Sequence, residues 1–192
     1  MKKTLSLILA LAMMLTFAAC GKDYTTIDTS TPEGLAEKYV YAVFAGDGAA
    51  IHDLTMDKYE VARKIESGFC ADEAECIADC MQEATEKLND YKEEYGDDVK
   101  ISDFKIAEQY TYSAEEQALL ISHLEEGPYP VGAVSDIQTL KVGFKVKGSK
   151  EESTLYYEQS IAKIDGKWYW GITNISATYD GNLSFIEEIK NK

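Results

Sequence analysis

Residues 137–147, Ile137-Gln138-Thr139-Leu140-Lys141-Val142-Gly143-Phe144-Lys145-Val146-Lys147, space Leu140, Val142, Phe144 and Val146 two apart. That period sets the four side chains on one face of a β-strand. Residues 153–164 carry the next strand, Asp165-Gly166 is a tight hairpin signal, and residues 167–173 return with Trp168, Trp170 and Ile172 on one parity. Three strands joined by short turns imply an antiparallel sheet.

Working outward toward the N-terminus, residues 99–112 alternate only in part. Val99 and Ile101 share one parity, and Phe104, Ile106, Tyr110 and Tyr112 share the other, which predicts a bulge near Ser102-Asp103. Ser113-Ala114-Glu115-Glu116 is a capping box, opening a helix that Gly127-Pro128 stops, so this helix reads as an insertion between strands. Before the strands the period is helical. Over residues 72–95, Ile77, Met81, Ala84, Leu88, Tyr91 and Tyr95 recur at three and four, predicting one long helix with a buried stripe. Shorter helical stretches cover residues 49–54 and 57–65, with Gly68 as a breaker. Thr31 caps a first helix with Pro32 at its first position. Leu35, Tyr39 and Val43 with Ala36, Val40 and Phe44 form its apolar face, and Gly46-Asp47-Gly48 ends it. Helices first and a meander afterwards describe an α+β domain in which helices cover one face of a curved antiparallel sheet.

The capped first helix, the Gly46-Asp47-Gly48 break, the second helix opening Ala49-Ala50-Ile51, and the late strand pair Ala162-Lys163-Ile164-Asp165-Gly166-Lys167-Trp168-Tyr169 resemble the nuclear-transport-factor-2-like (cystatin-like) superfamily. More narrowly, the chain looks like the small bacterial lipoproteins of unknown function that carry this domain. The resemblance implies a cone of sheet and helices around an apolar pocket, used by some members for catalysis and by many for packing or binding. It also implies that dimerisation through the open sheet face, giving a homodimer, is within the superfamily's habits. Fold alone does not name an activity.

Residues 1–19 read as a lipoprotein signal peptide: Lys2 and Lys3, an apolar run from Leu7 to Leu15, then Phe17-Ala18-Ala19 before Cys20. The run is too short to cross a bilayer. Ala18-Ala19-Cys20 resembles a lipobox, in which Cys20 receives a diacylglyceryl group and becomes the mature N-terminus, and two acyl chains anchor stably where one does not. The expected arrangement is lipidated Cys20 with a polar tether to residue 31, a single domain over residues 32–175, and a tail or short helix over 176–192. The expected location is outside the cytoplasm, lipid-anchored to the bacterial cell membrane.

The formal charge is -15, and a leader holding two lysines and no acid makes the mature chain two units more negative. Arg63 is the only arginine. A binder of phosphate backbones needs a basic stripe, so nucleic acid is excluded, and an anionic membrane surface would repel the domain itself. Few prolines and a large apolar fraction argue against disorder.

Three sets of residues carry candidate chemistry. His52, with Asp53 beside it and Tyr59 downstream, is the acid–base candidate, because histidine alone titrates near neutrality unperturbed. Adjacent helical residues point about a hundred degrees apart, however, so His52 and Asp53 cannot address one point. Arg63, with Glu60 and Glu66 near it, reads as a solvated ion pair. Cys70, Cys76 and Cys80 allow a disulfide from Cys70 to either of the others, reduced thiols packed as small hydrophobes, or a redox or metal module; their spacing does not match the usual zinc pattern, so no metal is expected. Tyr39, Phe44, Phe144, Tyr157, Trp168 and Trp170 fall on faces turned inward and serve either as core or as the wall of an apolar pocket. The reading is a binding or interaction domain without catalysis and without a cofactor, taking a small apolar ligand or an envelope protein. The competing reading is an enzyme of the superfamily, of isomerase or dehydratase type, acting on a small hydrophobic substrate.

Overall fold

The computed structural model describes residues 22–172. The signal segment, Cys20 and the tail over 176–192 lie outside the described residues.

Among the described residues, after a 3-10 turn at Tyr24–Thr26, five α-helices precede or interrupt four strands: α1 Pro32–Ala45, α2 Gly48–Thr55, α3 Lys58–Glu66, α4 Glu73–Tyr95, β1 Lys100–Thr111, α5 Ala114–Glu125, β2 Val134–Lys147, β3 Glu152–Ile164 and β4 Lys167–Trp170. Each helix starts where a side chain satisfies first-turn amides that have no partner within the helix. Thr31 accepts from Gly34 N at 3.1 Å, Asp47 from Ala50 N at 3.0 Å, Asp57 from Tyr59 N and Glu60 N, and Asp72 from Glu75 N. Ser113 and Glu116 close the capping box on α5. Gly46 ends α1 in the left-handed region at φ 65°, which a glycine adopts without Cβ strain.

The sheet order is β1-β2-β3-β4, antiparallel throughout. Asp103 has φ 53° and the β1–β2 register shifts between Ser102 and Lys105, the bulge that the broken alternation predicts. Leu140, Val142, Phe144 and Val146 are buried with Ile161, Trp168 and Trp170 against Leu35, Val40 and Phe44 of α1 and Tyr95 of α4. Partner residues across an antiparallel ladder share a face, and the pairs Ile161–Trp170 and Lys163–Trp168 put both tryptophans on this one. The opposite face is not bare. Leu120 and Leu124 of α5 cover Ile137, Ala162 and Ile164 at one end of it, so helices lie on both faces. Ile172 joins that second cluster instead of following the tryptophans, because Gly171, at φ 78°, turns the chain after β4.

Two further expectations are corrected by packing. The tether does not run to residue 31: Tyr24 is 2% exposed and donates to Asp47 Oδ2 at 2.8 Å, so the fold takes in part of that polar segment. On α4, Cys76, Cys80, Ala84 and Tyr95 are buried, Ile77, Leu88 and Tyr91 are half-buried, and Met81 is exposed. Gly48 fits this rotation of α4: a Cβ at that position would overlap the backbone of Cys80 and Met81, so the two helices approach there without side chains between them.

Candidate functional site

Asp57, Glu60 and Arg63 are spaced by one helical turn, so capping by Asp57 orients all three. Both oxygens of Asp57 are used: Oδ1 caps the helix, and Oδ2 accepts from Tyr129 Oη at 3.0 Å. Glu60 accepts twice from Arg63, from Nε at 2.8 Å and from Nη2 at 2.5 Å. A bidentate pair of this kind fixes the guanidinium plane. The Glu60 side chain is 10% exposed and that of Arg63 39%, so the pair is half-sheltered, not solvated as its spacing suggests.

This corner borders a cleft of about 470 Å³ between α1, α3 and the end of β4. Tyr39 and Trp170, ring centroids 5.0 Å apart and stacked, form its aromatic wall, and Met56 and Ile172 extend the apolar lining. Glu60, Arg63, Lys64, Tyr129, Thr55 and Gln159 supply the polar side. Burial pushes the Tyr39 hydroxyl pKa up, with Tyr91 adding to the effect. Burial also raises Tyr129, and the Asp57 carboxylate beside it acts in the same direction. Both phenols are therefore neutral at physiological pH. The hydrogen bond to Glu60 holds Arg63 charged more firmly than usual.

His52, Asp53 and Tyr59 are not brought together. His52 is buried, its Nε2 has no hydrogen-bond partner among the described residues, and burial lowers its pKa, so the ring is neutral. It does not line the cleft. Asp53 faces solvent and pairs with Lys167 Nζ at 2.6 Å, while the Tyr59 ring meets Tyr129 edge to face at 5.8 Å.

Of the six aromatic candidates, only Tyr39 and Trp170 reach the cleft. Phe44, Phe144 and Trp168 are buried core. Phe44 stacks on Tyr91 at 4.4 Å, Phe144 meets Phe44 at 5.7 Å and Tyr157 at 5.0 Å edge to face, and Tyr157 shares a hydrogen bond with Tyr91. These rings pack on one another and do not line the cleft. Cys70 and Cys76 form a disulfide, Cα to Cα 5.5 Å, and Cys80 is a buried free thiol whose pKa is raised by burial. Among the described residues no group of three or more His, Cys, Asp or Glu side chains is placed to hold a metal ion. Likewise, no described helix is long and apolar enough to cross a membrane.

Tyr129, Met56 and Gln159 were not legible as site residues. Sequence spacing gives Glu60 and Arg63 only as a solvated ion pair; the contact of Tyr129 with Asp57 comes from a loop 72 residues later. Compared with protein-family models, curated proteins and solved structures, the chain matches none.

Proposed function

We propose that the chain is a ligand-binding domain of the nuclear-transport-factor-2-like cone type, held outside a bacterial membrane by lipid on Cys20 and working without catalysis. The observation that carries the binding reading is the cleft itself: an opening lined by a stacked aromatic pair together with polar and charged groups, in the size range of small-molecule sites. Its strongest candidate acid–base groups are already engaged. Both Glu60 oxygens face Arg63, and the Tyr129 hydroxyl is committed to Asp57. A general base must reach the proton it removes, and a carboxylate holding two charge-assisted bonds must first give one up.

Native mass measurement of the protein extracted from its envelope tests this. A bound small molecule present on the wild type and lost on Met56→Trp, which fills the cleft, is the expected outcome; identical bare masses for both count against it. A second reading, an enzyme of isomerase or dehydratase type, draws on Glu60 as a buried carboxylate lining an open cleft. Turnover of a hydrophobic carbonyl substrate that Glu60→Gln abolishes without unfolding the protein would favour it. For the anchor, Cys20→Ser is expected to release the protein from the membrane fraction.

A further inference from the structure

The cleft's charge points to the chemistry of its ligand. In a chain with a formal charge of -15 and a single arginine, that arginine and the lysine after it both line this one opening. Glu60 takes Nε–H and one Nη2–H of Arg63. A guanidinium has five N–H donors, so the Nη1 edge and one Nη2 hydrogen are left over. Lys64 has no ion-pair partner among the described residues. Among the described residues Glu60 is the only acid in the lining, so these lining residues carry one net positive charge. The Tyr39–Trp170 stack, Met56 and Ile172 line the same opening.

Resting on the binding reading above, we infer that the cleft selects amphipathic anions: a flat or alkyl apolar body against Tyr39 and Trp170, with a carboxylate, sulfonate or phosphate group on Arg63 and Lys64. An acid head group reaches a guanidinium already fixed in plane by Glu60, so little side-chain freedom is lost on binding. The acidic surface elsewhere disfavours anions, which makes anion preference a specific signature of this opening. A neutral ligand of the same shape would leave Lys64 without a counter-charge and the spare N–H donors of Arg63 unused.

Two fluorescent probes differing by one group separate the alternatives: 8-anilinonaphthalene-1-sulfonate and N-phenyl-1-naphthylamine, which lacks the sulfonate. Titrated into the full chain with its near-ultraviolet dichroism intact, the sulfonate is expected to bind roughly tenfold or more tightly than the neutral probe, the scale of one charge-assisted hydrogen bond. Lys64→Glu is expected to weaken the sulfonate at least about fivefold more than the neutral probe, with Lys64→Ala intermediate. Met56→Trp is expected to weaken both. Equal binding of the two probes, both lost on Met56→Trp, overturns the anion preference and leaves the binding domain standing. Binding of neither, or binding of both that ignores Met56→Trp, overturns the two together.

Discussion

Gly48→Ala probes the contact that orients α4 under the rest of the domain. A methyl group at Gly48 would stand 2.2 Å from Met81 Cα, 2.5 Å from Met81 N and 2.6 Å from Cys80 O. Carbon atoms pack at about 3.5–4.0 Å, so α2 and α4 would have to part by more than an ångström, on the order of the shortfall at Met81 Cα. Overpacking costs about 1–3 kcal/mol where side chains can rotate aside. Here the obstructing atoms are helix backbone, which places the cost at the upper end, about 3 kcal/mol. Alanine in place of glycine in a helix returns at most about 1 kcal/mol. The net loss is therefore about 2 kcal/mol, a fall in Tm of about 4–8 °C for a domain of this size. Urea unfolding with an unchanged m-value, alongside a thermal melt, measures it. Ala49→Gly, at the exposed neighbouring position, supplies the propensity scale without any clash. A Gly48→Ala protein as stable as wild type, or more so, would refute the close approach and the rotation of α4 inferred from it.

Other consequences are equally direct. Replacing Cys70 and Cys76 by Ser opens a loop with a sequence separation of 6 and is expected to cost about 2 kcal/mol on the chain-entropy model, read by urea unfolding under oxidising conditions. In the denatured, unreduced protein Cys80 should be the one of these three cysteines that reacts with a thiol reagent, and all three should react after reduction. His52 titrates below its unfolded value because it is buried. Its contribution to stability is thus present above about pH 6.5 and is lost as pH falls through the folded value. His52→Leu should show a shallower loss of stability between pH 7 and pH 5 than wild type, and parallel curves would mean that the ring is already solvated. Tyr129→Phe removes the donor to Asp57 Oδ2, leaving a buried acceptor short of a partner; the expected cost is about 1–2 kcal/mol in urea unfolding.

The chain's local chemistry is sufficient for its elements. Thr31, Asp57, Asp72 and Ser113 each offer an oxygen where a helix needs one, and Leu140, Val142, Phe144 and Val146 can share a buried face only if the backbone is extended. Even the bulge at Asp103 is written in a change of parity between Ile101 and Phe104. These are short-range facts, decided by hydrogen bonds within a turn or by the two-residue period of a strand. The side on which α5 lies, the burial of Tyr24, the rotation of α4 about Gly48 and the meeting of Tyr129 with Asp57 are another matter. Each joins residues far apart in the chain, and nothing in the local pattern distinguishes the partner chosen from others equally apolar or equally polar. The site divides in the same way: Glu60 and Arg63 are neighbours by spacing alone, whereas it is packing that buries His52, its Nε2 without a hydrogen-bond partner among the described residues, and gives Asp53 to Lys167. Short-range spacing determines what a side chain can do; the enclosure that sets its solvation, and hence its charge and its access to a ligand, arises only when distant segments close around it.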